Sequence, residues 1–202
     1  MMDLSGYVFT PLREDGELVL SRGVQDGDLA PLLVLSSTSE QSTHGSLQRL
    51  EHSYALRDTL DSAWAARPLE LVRSQGRTTL LLEDPGGELL ARLVGHPWEL
   101  TQFLRIAIGL AGVLGQLHAK GLIHKDLKPA HVLVKVATGQ VWLTGFGLAS
   151  RLPRERPVPA PPEVIAGTLA YMAPEQTGRM NRSIDSRSDL YAYGVTLYEL
   201  LK

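Results

Sequence analysis

The chain has 202 residues, 44% hydrophobic and 21% charged, which suits one domain on the usual scale of about 100–200 residues and excludes general disorder. Its 20 Lys and Arg against 22 Asp and Glu give a formal charge of -2, without the basic excess of a generic nucleic-acid binder. With 0 Cys, disulfides, thiolate zinc sites and cysteine nucleophiles are excluded, and the composition fits a reducing compartment.

The N-terminus, MMDLSGYVFT, has no basic segment followed by an apolar one, so no export signal is read there. The longest uncharged run, Ile106 to Ala119, is shorter than the ~18 apolar residues of a spanning helix. The expectation is a cytoplasmic protein with no membrane insertion and no nucleic-acid partner.

Short apolar runs at Glu17 to Ser21 and Pro31 to Ser36 predict strands, separated by a turn-rich stretch from Arg22 to Asp28. Leu50, Tyr54, Ala55 and Leu60 predict a helix over Gln48 to Leu60. Leu69 to Arg73 and Thr78 to Glu83 read as a hairpin joined by SQGR. The breaker DPGG, Asp84 to Gly87, marks a seam between a sheet-rich part, residues 1–84, and a larger helical part, 85–202. Glu99 to Lys120 predicts a long amphipathic helix with Leu100, Phe103, Leu104, Ile108, Ala111, Leu114 and Leu117 as its apolar face, stopped by Gly121. Val132 to Val136 and Val141 to Thr144 predict a second hairpin. Arg151 to Glu163, with five prolines, predicts a poorly ordered loop, and Ser188 to Lys202 a final helix.

Four ordered motifs carry chemistry. His124 to Pro129 (HKDLKP) follows the long helix and precedes a hairpin. Gly145-Phe146-Gly147 comes next, then Gly167-Thr168 with Ala173-Pro174-Glu175, then Ser188-Asp189-Leu190-Tyr191 with Gly194. In that order they resemble the catalytic loop, the DFG motif, the end of the activation segment and the start of the central helix of protein kinases. The resemblance covers essentially all 202 residues and implies an α+β, two-lobed protein-kinase-like fold. A small β-rich N-lobe would join a mainly helical C-lobe that stops inside its central helix. Ala173 to Tyr198, Leu82 to Gly87 (LEDPGG) and Leu122 to Asp126 (LIHKD) are similar to a narrower group. These are the N-terminal serine/threonine-kinase-like modules of large bacterial proteins that continue into an AAA-type ATPase region, a GAF-type sensor and a histidine kinase.

The resemblance assigns Asp126 to the residue that accepts the substrate hydroxyl proton. It assigns Lys128 to the lysine beside the transferring phosphate and Thr168 to the threonine that tethers the pair. Alone, Asp126 reads as a loop carboxylate satisfying backbone N–H groups. For the nucleotide the resemblance implies Val34 and Leu133 around the adenine, Glu83 and Asp84 as the hinge, and Glu88 at the ribose. The alternative for Val34 and Leu133 is plain core packing.

Other positions depart from the kinase pattern. Ser36 stands where the third strand carries a phosphate-gripping lysine, and Ser53 where the next helix carries its glutamate. Gly145 replaces the aspartate of DFG, and His131 the asparagine after HKDLKP. Mg²⁺ wants hard oxygen ligands in octahedral geometry, which glycine and imidazole do not provide. His131 reads as a hydrogen-bonded loop histidine rather than a ligand for a softer ion, so no metal site is expected. The phosphate-covering glycine loop is replaced by LREDGELVLS, Leu12 to Ser21, where Glu14 and Asp15 carry the wrong charge. ATP thus stays open as a cofactor, whereas Mg²⁺ lacks its usual ligands. His124 and Phe146 look like members of the apolar spine. Arg151, Arg154, Arg156, Arg179, Arg182 and Arg187 read as a solvated basic face, with docking of a phosphate or an acidic partner as the alternative.

Two functions remain at the level of sequence. The first is a pseudokinase: a signalling or regulatory module with weak or no phosphoryl transfer. The second is an active serine/threonine kinase that moves the ATP γ-phosphate to protein hydroxyls. The expected partners are downstream domains of the same polypeptide or other signalling proteins. An exposed apolar surface is expected around Leu190, Val195, Leu197, Leu200 and Leu201, with Glu175 awaiting an arginine beyond Lys202.

Overall fold

The computed structural model describes residues 4, 6–25, 31–39, 42–74, 76–151, 166–178 and 183–202. It divides into two compact units, Met1–Pro85 and Gly86–Lys202.

The N-terminal unit is a five-stranded antiparallel sheet with one helix. Its elements are β1 (Tyr7–Asp15), β2 (Leu18–Gln25), β3 (Leu32–Ser37), α1 (His44–Ala55), β4 (Pro68–Ser74) and β5 (Arg77–Glu83), in sheet order β1-β2-β3-β5-β4. β1 and β2 form a hairpin whose register runs from Asp15 opposite Leu18. Only Gly16 and Glu17 lie in the turn, and Gly16 takes φ +60°, as the first residue of a two-residue hairpin turn requires. β1 is an edge strand, and its pairing slips at a bulge between Pro11 and Arg13. The sequence reading missed this strand because Pro11 and four charged or polar neighbours blur its alternation.

β2 also runs on through Arg22 to Gln25, where a turn was expected. Arg22 and Gly23 pair with Leu33 and Leu32, and the missing side chain of Gly23 makes room for the Phe9 ring. Successive strand residues face opposite sides. Leu33 and Leu35 therefore share one side with their cross-strand partners Leu82, Leu80 and Leu20, all six per cent exposed or less. On the other side Leu32, Val34 and Leu81 form an apolar cluster with Leu4, Tyr7, Leu69 and Val72.

α1 starts at His44, four residues before the expected start, because Thr43 caps it: its Oγ1 accepts from Ser46 N at 3.1 Å. The helix ends at Ala55, and Leu56 to Thr59 continue as turns. α1 packs on β4 and β5.

The C-terminal unit contains β6 (Glu88–Leu89), α2 (Leu100–Ala119), β7 (Leu122–Ile123), β8 (Val132–Lys135), β9 (Gln140–Leu143), β10 (Ser150–Arg151) and α3 (Ser186–Leu200). β6, β8 and β9 form one small sheet and β7 with β10 another. With the β-rich first unit, this mainly helical unit gives the chain the architecture of the two-lobed kinase fold.

The apolar face of α2 differs from the expected one. Ile106, Ala107, Leu110, Val113, Leu114 and Leu117 are buried, while Leu100, Leu104 and Ile108 are exposed at 67%, 46% and 71%. The helix is apolar nearly all round, so spacing admitted two rows. The winning row lies beside Gly109, whose missing side chain lets α2 approach Gly139 and β9. A Cβ at Gly109 would run into the Gly139 carbonyl and lie 3.0 Å from Val141 Cγ2. Gly109→Ala is therefore expected to destabilise the unit by about 1–3 kcal/mol, read as a lowered urea midpoint with unchanged slope.

α2 also passes the length and composition test for a membrane span, with a mean hydropathy of 1.4 over 18 residues. Length and composition alone are weak evidence for a span, and the uncharged run from Ile106 to Ala119 stays shorter than ~18 residues because Arg105 bounds it. One side of the helix is core of this unit, against β9 and α3. Of the residues expected to form an exposed surface on α3, Leu190 and Leu201 are open, Val195 and Leu197 are half-buried and Leu200 is buried, while Tyr191 and Tyr198 add to the open side. The loop expected from Arg151 to Glu163 lies outside the described residues, except for Arg151 in β10.

Candidate functional site

The loop between β7 and β8 carries the HKDLKP string, and its backbone is held from both ends. Lys125 has φ +68°, the positive-φ position among described non-glycine residues. A residue with a side chain rarely takes this conformation unless its surroundings fix it. Here the Asp189 carboxylate, at the start of α3 and 1% exposed, accepts from His124 N at 2.8 Å and Lys125 N at 2.9 Å. His118 Nε2, from α2, lies 2.9 Å from the same carboxylate. On the other side, Gln176 Nε2 donates to the Lys125 carbonyl at 2.8 Å, while its Oε1 accepts from Ala173 N. Burial pushes the half-buried Lys125 ammonium below its usual range, with Asp189 acting in the opposite sense.

The next residues converge. Asp126 Oδ1 accepts from Thr168 N at 2.9 Å, and Lys128 Nζ donates to Thr168 Oγ1 at 2.6 Å. Lys128 Nζ is also 3.8 Å from Asp126 Oδ2. Both charged side chains are nearly buried. Such a pair offers a carboxylate that can take a proton from a hydroxyl and a cation that can offset an adjacent anion.

The histidines have assignable roles. His124 Nδ1 accepts from Asp126 N, so its Nε2 carries the hydrogen and donates to the Thr144 carbonyl at 2.9 Å. Its ring lies 5.1 Å from that of Phe146, and both residues are buried. His131 Nδ1 donates to the Asp126 carbonyl at 2.6 Å. Its backbone carbonyl accepts from Thr144 N, which sets it beside Gly145.

A protein kinase domain model matches residues 39–202. The chain belongs to the protein kinase domain family. It is 34% identical over 128 residues to serine/threonine-protein kinase Pkn1 of Myxococcus xanthus, covering 62% of this chain and 18% of Pkn1. It is 32% identical over 149 residues to serine/threonine-protein kinase PknB of Mycobacterium leprae, covering 73% and 22%. It is 30% identical over 190 residues to CBL-interacting protein kinase 4 of Oryza sativa subsp. japonica, covering 92% and 41%. The chain thus spans between about a fifth and two fifths of the length of these curated relatives. The family match begins after β3, so β1 to β3 lie outside it.

Kinase domains use ATP and a metal ion. The residues at the two metal positions do not fit the ion: Gly145 has no side chain, and a Cβ there would sit 2.6–2.7 Å from the His131 ring. The two positions of the N-terminal unit that the resemblance aligns with the kinase lysine and glutamate are serines. Ser36 lies opposite Val19 and Thr79, and the buried serine of β3 is its neighbour Ser37. Ser53 lies on the buried face of α1. Between β1 and β2, where a kinase covers the phosphates, the two-residue turn leaves no room for a glycine-rich loop.

The proposed nucleotide positions are placed as follows. Val34 is packed in the apolar cluster with Leu32 and Leu81. Asp84 accepts from Arg22 Nε at 2.5 Å and Nη2 at 3.1 Å, with its side chain 1% exposed. Glu83 pairs with Arg67 at 2.7 Å. Burial raises the Glu83 pKa, but hydrogen bonds from Arg67 and Ser62 outweigh it, and the carboxyl is held below its usual range. In the C-terminal unit, Leu133 is fully buried opposite Leu89, while Glu88 is exposed within 3.8 Å of Arg92.

Sequence reasoning named Asp189 in a motif but missed its grip on the loop, and it missed Gln176 and His118 entirely. Their signal was the charged or polar residue at a helix start or end, opposite the HKD string. Glu175, expected to await an arginine, accepts from Ser188 Oγ at 2.6 Å. Tyr171, close after Thr168, donates its hydroxyl to Glu199 on α3. Burial, then that bond, then the charge of Glu199 raise the Tyr171 pKa well above 10.0. A raised phenol pKa contributes stability that is present below the unfolded value and lost as pH rises through and beyond it. Unfolding free energy should therefore fall as pH rises above about 10, and Tyr171→Phe should flatten that slope in denaturant titrations at pH 9 to 11.

Proposed function

We propose that this chain is a pseudokinase: a kinase-fold regulatory module with weak or no phosphoryl transfer. The observation that carries the reading is the absence of charged groups at Ser36, Ser53 and Gly145, and of an amide oxygen at His131, in a domain that keeps Asp126, Lys128 and Thr168 together. Phosphoryl transfer is mostly positioning and charge neutralisation. A base beside a lysine can receive a proton, but the phosphate oxygens need the lysine, glutamate and metal ligands that these four positions lack. The nucleotide-binding roles that the resemblance implies for Val34, Glu83, Asp84, Glu88 and Leu133 belong to this proposal, with ATP bound without efficient turnover.

The module is further proposed to be a cytoplasmic part of a longer bacterial signalling protein, with AAA-type, GAF-type and histidine-kinase regions as its partners. The motifs TGRMNRSID, LEDPGG and LIHKD support that context. The second reading is an active serine/threonine kinase. The hydrogen-bonded set Asp126, Lys128 and Thr168 favours it.

The test is transfer of the γ-phosphate from ATP to a generic hydroxyl substrate, with ATP affinity measured with and without Mg²⁺. The expected result is no transfer above an Asp126→Ala control and no gain in ATP affinity from Mg²⁺. Robust turnover that Asp126→Ala abolishes would sink the pseudokinase reading and install the second.

A further inference from the structure

The altered metal positions are two changes in sequence but one object in space. His131 and Gly145 lie fourteen positions apart, yet Thr144 N donates to the His131 carbonyl at 2.9 Å and brings them side by side. Gly145 takes φ +82°, and the volume its Cβ would fill is taken by three ring atoms of His131, at 2.6 Å from Cδ2 and 2.7 Å from Cγ and Nε2. Approaches under about 3 Å between carbon atoms are strongly repulsive, since contact distances lie near 3.5–4.0 Å.

The ring cannot simply swing away. It is 3% exposed, and its Nδ1 donates to the Asp126 carbonyl at 2.6 Å. Its neighbour on one side is the His124 ring, 5.7 Å between centroids. Rotation would break a buried hydrogen bond and meet that packed ring.

We infer that the His131 imidazole takes the place of a side chain at position 145 and closes this corner of the catalytic loop to a divalent cation. The two residues act as one unit: the ring requires the glycine, and the glycine leaves a void without the ring. His131 is then a positioning residue for Asp126, through the backbone carbonyl it binds, and not a metal ligand. The inference rests on the reading of this chain as a kinase domain with altered metal positions.

The test uses the purified chain with His131→Asn, Gly145→Ala, Gly145→Asp and the double variants of His131→Asn with each. Thermal denaturation reads the steric coupling. Backbone strain at φ +82° is common to both backgrounds and cancels in the comparison. Gly145→Ala and Gly145→Asp should lower the melting temperature when His131 is retained, and the loss should be at least halved in the His131→Asn background. A Gly145→Ala that folds only together with His131→Asn supports the coupling equally. Equal losses in both backgrounds would overturn it. The second readout is free Mn²⁺ by electron paramagnetic resonance in the presence of ADP. The unaltered chain should take up no Mn²⁺ beyond that bound by ADP alone, and uptake of one ion per chain would overturn the inference. Uptake without phosphoryl transfer defeats this inference and leaves the pseudokinase reading standing. Transfer without uptake does the reverse.

Discussion

Replacing Asp189 by alanine is expected to remove about 3–5 kcal/mol of stability from the C-terminal unit, the range for breaking a buried, hydrogen-bonded charge site. The carboxylate is 1% exposed and serves two backbone amides and one imidazole. Without it, the amides of His124 and Lys125 lose their acceptor in a place water barely reaches, each at about 1–3 kcal/mol. The loss falls on a residue already at φ +68°, so the loop loses the contacts that fix an unfavourable conformation. Asp189→Asn keeps one acceptor oxygen and should fall between the two. Urea unfolding followed by circular dichroism measures this directly. A loss under about 1 kcal/mol for the alanine variant would show that the loop holds its shape by other means.

Asp84→Ala should cost about 3 kcal/mol in the N-terminal unit, whereas Glu83→Ala, one residue away, should cost less than about 1 kcal/mol. The contrast comes from burial. Asp84 meets Arg22 through two hydrogen bonds, and the side chains are 1% and 21% exposed. Glu83 meets Arg67 with side chains 29% and 40% exposed, where water and salt screen the pair. Removing Asp84 leaves a largely buried guanidinium without its bidentate acceptor. Raising NaCl from about 0.05 to about 0.5 M should weaken the Glu83 variant's deficit further and leave that of Asp84 almost intact. Equal costs for the two substitutions would show that burial does not separate them.

Much of the C-terminal unit was legible in sequence because its signals are local. Gly121 at φ +72° ends α2, and the β8–β9 hairpin falls where apolar runs flank a turn. The HKDLKP string with Thr168 predicted neighbours that are found within hydrogen-bonding distance. The reading went astray where local pattern admits more than one answer. α2 carries two apolar rows, and the choice between them was made by Gly109 against Gly139, thirty residues away in the chain. β1 hides behind Pro11 and exposed polar residues, since an edge strand need not alternate. At the site, the departure of Gly145 and His131 from the aspartate and asparagine of the kinase pattern could be read from the sequence. That the ring of one fills the space of the other could not, because it depends on a backbone pairing between Thr144 and His131.

The bulge in β1 has a consequence for how the molecule behaves at high concentration. An exposed outer strand of nine residues, with Val8 and Phe9 at 73% and 40% exposure, would offer a template for a neighbouring chain. Pro11 has no N–H, and the pairing slips between it and Arg13, so the strand is cut into paired runs Tyr7–Pro11 and Arg13–Asp15, five and three residues long. Neither piece exceeds the ordinary strand length of about 5–6 residues. The second piece, moreover, carries Arg13, Glu14 and Asp15. A proline that looked like an obstacle to strand formation thus acts as a guard on solubility: it lets the sheet end in an open strand while shortening the unbroken run which that strand offers to another chain.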